Sequence, residues 1–108
     1  MKITKMSEMH EGWFIGDFIP SVHRTKDFEV AYKKHSKDEI WDKHVHKVAK
    51  EINYLIKGQM LINDIKLNPG EIFVIENGEV ADPRFLTDCE LIVVKVPSVI
   101  GDKYNVSR

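Results

Sequence analysis

The sequence holds one cysteine, Cys89, so no intramolecular disulfide can brace the fold. Arginine is scarce: Arg24, Arg84 and Arg108 are the whole supply. No charge of one sign dominates, because 16 basic residues face 17 acidic ones and the formal net charge is −1. That balance offers a polyanion no overall attraction, so a nucleic-acid partner is not expected. No stretch approaches the ~18 apolar residues of a membrane span, and no membrane partner is expected. Residues 1–9 alternate charged and apolar side chains without the apolar core of a signal peptide. The cytoplasm is the expected location. A helical apolar stripe is also missing, and this last absence points to the fold.

What is present is a chain of 108 residues, 43% hydrophobic and 31% charged, which is the size and composition of one soluble globular domain. Its apolar residues recur with the period of two that a half-buried strand requires. Residues 28–32, 51–56, 59–62, 65–67, 71–75 and 91–96 read as strands. Gly58 is expected to turn a hairpin between the second and third of these. Asn63-Asp64 and Asn68-Pro69-Gly70 supply the next turns, the latter with type II chemistry. Only residues 7–10 and 42–50 offer weak helix candidates. Short strands at short intervals predict an all-β sandwich or barrel. Residues 28–97 form the expected barrel, with 1–27 as an N-terminal extension and 98–108 as a tail of the same single domain. Trp13, Phe14, Ile15, Phe18 and Ile19 make that extension too apolar to hang free. They are expected to pack on the barrel or on a second subunit.

Three of the five histidines fall between His35 and His46. In a strand, His44 and His46 project from one face about 7 Å apart and can converge on one ion. Glu51 lies an odd number of residues further on, so it joins them only if the chain turns between Lys47 and Lys50. Asn53 shares the face of Glu51, and Tyr32 and Phe73 are candidate pocket walls. His10, His23 and His35 read as bystanders, and Lys43, Lys47 and Lys50 as a solvated rim.

His44-Val-His46, four residues, Glu51, six residues, Gly58 resembles the first motif of the cupin superfamily throughout. The glycine usual six residues before the first histidine is Asp38 here. The second motif, aligned on Gly70 and Gly78, is degraded: Glu76 stands for its proline, Ala81 for its histidine and Phe85 for its asparagine. Residues 12–17 and 96–104 extend the likeness to a group of small bacterial and phage cupins without a settled reaction. The resemblance implies an all-β cupin jelly-roll β-barrel, often dimeric, so a homodimer is expected. It also implies a divalent metal ion (Fe, Mn, Ni or Zn) held by His44, His46 and Glu51. Two histidines and a carboxylate leave open positions on an iron-like ion, or hold a zinc with bound water. Asp82 or Glu79 is the candidate fourth oxygen near Ala81. The expected function is a metal-binding cupin that binds or transforms a small molecule, a carbohydrate or an organic acid, in the barrel. One alternative is a metal-free sugar-nucleotide isomerase or epimerase with His46 as base, whose diphosphate anchor would rest on few arginines. The other is a non-catalytic ligand-binding module.

Overall fold

Eleven short strands make up nearly all the regular structure in the computed structural model, which describes residues 1–106. Arg108 lies outside the described residues. The strands are β1 (Trp13–Ile15), β2 (Glu29–His35), β3 (His44–Val45), β4 (Lys50–Lys57), β5 (Met60–Ile62), β6 (Ile65–Leu67), β7 (Ile72–Ile75), β8 (Val80–Ala81), β9 (Pro83–Phe85), β10 (Cys89–Val96) and β11 (Tyr104–Asn105). A five-stranded sheet runs in the order β1-β2-β10-β4-β7. Two three-stranded sheets, β11-β3-β8 and β6-β5-β9, complete the fold. All strand pairs are antiparallel.

The period of two decides which side chains meet. Leu55 on β4, Leu91 and Val93 on β10, Ala31 on β2 and Ile75 on β7 point inward from the large sheet. They join Met60, Ile62, Leu67, Ala81 and Phe85 of the small sheets in one buried cluster. The alternate residues Tyr54, Ile72 and Val74 face outward and stay exposed. This is the all-β jelly-roll architecture.

The turns behave unequally. Asn63 and Asp64, both at positive φ, close the β5–β6 hairpin as a two-residue turn of this kind requires. Gly70 has φ +93°, and the Glu71 amide donates to the Asn68 carbonyl at 3.2 Å, which fits the type II turn. Gly58, however, makes no hairpin. β4 pairs with β10 and β7, whereas β5 pairs with β6 and β9 in another sheet. Gly58 is the corner between sheets, and a Cβ there would sit 2.1 Å from the Asp88 carbonyl oxygen. Residues 42–50 form no helix: they contain β3 and the loop after it. Only one 3-10 turn, Met6–Glu8, falls at the other helix candidate.

The extension and the tail each supply a strand. β1 pairs with β2, with Trp13 packed on the core and meeting Phe18 edge-on at 6.3 Å. β11 pairs with β3, which brings residues 102–105 beside the histidine strand.

Candidate functional site

A cavity of about 280 Å³ opens between the large sheet and the two small ones. Its wall contains His44, His46, Glu51, Asn53 and Phe73, all anticipated from sequence. Tyr32 is not on this wall. Parity turns its neighbours Ala31 and Lys33 inward, and Tyr32 lines a separate, more open groove with Met6, Ser7, Glu11 and Gly12. Asp82 is likewise absent from the wall, because Ala81, Pro83 and Phe85 take the inward positions. The Asp82 amide donates to Asn63 Oδ1, and its carboxylate lies 3.8 Å from Arg84. Glu79 is exposed and spends one carboxylate oxygen on the Glu76 amide. Neither acid reaches the histidines as a fourth oxygen.

His44 and His46 are buried, at 7% and 3% exposure. The nearest ligand atoms of His44, His46 and Glu51 all lie within 4.8 Å of one another. The parity problem of Glu51 is solved by a loop. β3 ends at Val45, and β4 begins at Lys50 in a different sheet. Asp102 shapes that loop. Its carboxylate accepts the amides of Lys47 at 2.9 Å, Val48 at 3.1 Å and Ala49 at 2.8 Å. Asp102 was not among the residues the sequence singled out, since its partners lie more than 50 positions away.

The hydrogen bonds fix the ring protons. His44 Nδ1 donates to the Asp42 carbonyl at 2.9 Å, and His46 Nδ1 donates to the Asp102 carbonyl. A carbonyl only accepts, so each Nδ1 carries a proton, and Nε2 is the ring atom left to face the cavity. His46 Nε2 stands 3.2 Å from Glu51 Oε2. Burial works to raise the Glu51 pKa, but His46, Lys95 and His44 outweigh it and hold the carboxyl below its ordinary value. A ring nitrogen and a carboxylate oxygen at this distance share either a proton or a cation. A proton serves two of these atoms; a divalent cation serves all three.

The position expected to carry a fourth ligand is Ala81. It sits directly opposite His44 in the β3–β8 register, where the degraded motif places it. It is buried and lines the cavity.

Sequence reasoning missed several wall residues. His35 stacks on Phe85 at 4.2 Å and holds Glu39 Oε2 through Nδ1 at 2.6 Å. Trp41 Nε1 donates to the same oxygen at 2.5 Å. Burial pushes the His35 pKa down despite Glu39, and the same cause lowers that of His44. Lys33, Lys95 and Lys103 also line the cavity. The alternation of β2 would have revealed Lys33 and His35 had the expected strand 28–32 been extended through its charged positions, and Lys95 lies within the expected strand 91–96 at the parity of Leu91 and Val93. The expected rim residues Lys47 and Lys50 are exposed and off the wall.

Among the described residues, no helix is long and apolar enough to cross a membrane. No family profile matches the chain, and no curated protein matches it. Solved structures match it in fold. A conserved protein with a double-stranded β-helix domain from Klebsiella pneumoniae gives a TM-score of 0.69 at 20% identity, covering 78% of this chain and 74% of that one. A cupin-2 domain protein from Shewanella frigidimarina gives 0.55 at 22% identity, covering 67% and 72%. The bacterial pirin YhhW from Escherichia coli, in complex with nickel(II), gives 0.65 at 19% identity, covering 82% of this chain and 39% of the pirin. Strand order, inward alternation and these likenesses agree: the chain has the double-stranded β-helix fold of the small cupins.

Proposed function

We propose that this protein holds a divalent metal ion through His44 Nε2, His46 Nε2 and Glu51 and receives a small molecule beside it in the cavity. The observation that carries this reading is the convergence of His44, His46 and Glu51 on the cavity, with one ligand atom of each within 4.8 Å of the others. The hydrogen bonds that the two Nδ1–H groups donate to the Asp42 and Asp102 carbonyls aim both rings, as metal-bound histidines generally need. The nickel(II) bound by the pirin of like fold supports the same reading. A divalent ion with open positions supplies Lewis acidity to a ligand oxygen, or an activated water. Whether the ligand is transformed or only held, the chain's own part is to position it against the ion and away from bulk water.

The alternative of a metal-free sugar-nucleotide isomerase draws less support. Among the described residues no arginine lines the cavity to anchor a diphosphate. Arg24 is engaged with Asp17 at 3.2 Å and Arg84 lies near Asp82.

The test is metal analysis of untagged protein soaked in Fe, Mn, Ni or Zn and then desalted. Near one equivalent is expected for at least one metal, falling below about a tenth in the His44→Ala/His46→Ala variant because two of three ligands are gone. A wild type that stays below a tenth of an equivalent with every metal overturns the proposal.

A homodimer is proposed through the outer face of the large sheet, where Ile72, Tyr54, Ile92 and Tyr32 align in one row across four strands. Val74, Ile52, Val94 and Val30 form the next row. Ile72 is 67% exposed, and such a contiguous apolar face favours a covering surface. Sedimentation of wild type at micromolar concentration is expected to give twice the monomer mass, and the Tyr54→Lys/Ile72→Lys variant the monomer mass.

A further inference from the structure

The cavity wall is selective in its charge. Lys33 on β2, Lys95 on β10 and Lys103 after the last turn all reach it. Their present partners are mostly neutral. Lys33 Nζ donates to the Glu11 carbonyl at 2.9 Å and lies 6.0 Å from the Trp13 ring. Lys95 Nζ lies 5.0 Å from the centroid of the same Trp13 ring. Lys103 Nζ sits 4.1 Å over Trp41. Lys95 has Glu29 at 4.0 Å behind the wall. Among the described residues, Lys33 and Lys103 have no carboxylate at ion-pair distance.

Two glutamates share the wall with these lysines. Glu11 has a side chain 70% exposed at the mouth, where water screens it. Glu51 is committed to the histidines. A divalent ion at that triad carries more charge than Glu51 neutralises, so the loaded cavity is positive. Lys33 is half-buried and Lys103 exposed, and partial desolvation lowers the pKa of both.

Asn53 adds an independent sign. It is 4% exposed, lines the cavity between Glu51 and the core, and its Nδ2 has no hydrogen-bond partner among the described residues. A buried donor left unmade costs free energy unless an acceptor arrives. The volume of about 280 Å³ lies at the small end for ligand pockets.

We propose that the ligand of this cavity is a small organic anion, a mono- or dicarboxylate, whose charge is met by Lys33, Lys95 and Lys103 and whose oxygen accepts from Asn53 Nδ2. This deepens the reading of the cavity as a ligand site, and it separates an acid from a neutral carbohydrate. A sugar would satisfy Asn53 but leave the lysines without a counter-charge. A carboxylate satisfies both.

The experiment is a binding series with malonate, succinate and L-malate beside their uncharged partners malonamide and succinamide. Thermal shift and calorimetry are run on protein dialysed free of metal, then on protein loaded with Ni(II), at low and high NaCl. The acids are expected to bind and raise the melting temperature, the amides to leave it unchanged, and salt to weaken the effect. Lys33→Met and Lys95→Met are each expected to weaken acid binding about tenfold, the size of one lost charged hydrogen bond. Lys103→Met, at an exposed position, and Asn53→Asp, which sets a carboxylate where the donor was, provide variants that do not depend on the first two folding. Metal content is measured in every variant. Acids that bind through the lysines to a protein that takes up no metal would overturn the metal reading and leave this one standing. Metal loading together with amides that bind as well as acids, acid binding indifferent to all four substitutions, or no binding by any acid would overturn the anion proposal.

Discussion

Replacing Asp102 with alanine is expected to lower the unfolding free energy by about 3 kcal/mol, a large share of the stability of a domain this size. The carboxylate accepts three consecutive amides, from Lys47, Val48 and Ala49. Ala49 is 2% exposed, so its orphaned amide cannot turn to water. Lys47 and Val48 are exposed, and their amides recover part of the loss by hydration. Asp102→Asn keeps the size and one acceptor oxygen and should lose about half as much. Burial acts to raise the Asp102 pKa, but the Ala49, Lys47 and Val48 amides prevail and hold it below its ordinary 3.8. Because the folded pKa is depressed, the stabilisation is full above pH 3.8 and disappears as pH falls through the folded value. Urea unfolding of wild type and Asp102→Asn across that acid range should show the two curves converging as pH drops. A difference that persists unchanged would refute the assignment. The alanine variant should also bind metal more weakly although no ligand is altered, since the loop it frees carries Glu51 to the histidines.

Introducing the missing ligand should work in the opposite direction. Ala81→His is expected to raise metal affinity about a hundredfold, because even outer partners of metal ligands change affinity by roughly 10–100-fold. Ala81 stands opposite His44 in the antiparallel register, so their Cβ atoms are neighbours about 5 Å apart. The cavity, and not packed core, lies in front of it, which gives an imidazole room that a filled interior would refuse. The alternative positions, Asp82 and Glu79, face away from the cavity and should change nothing when mutated to alanine. Competition against a chromophoric chelator measures the gain. An unchanged affinity in a folded Ala81→His variant would show that residue 81 does not look onto the ion.

The legible part of this protein was the part governed by local rules. Strand parity put Asn53 on the face of Glu51, where both line the cavity, because alternation is a property of each strand alone. The Asn63-Asp64 turn was legible for the same reason. Gly58 was misread, since a glycine announces that the chain turns but not which strand it meets next. Lys33, His35 and Lys95 were passed over as site residues because the apolar signal of an inward position fails where the interior is a polar cavity. Tyr32 shows the same error from the other side: its aromatic character suggested an inward wall, while the register with Ile92 fixed it outside.

The amino-acid sequence by itself determined the all-β class, the shared face of Glu51 and Asn53, and the pairing of two histidines with a spaced glutamate. These follow from residue type and spacing over a few positions. Only the tertiary structure decided that Glu51 meets His46, that Asp102 builds the loop between them, and that the lysines and Asn53 share their cavity. Those contacts join strands of different sheets, and their partners are set by how the sheets pack, which no short-range period encodes.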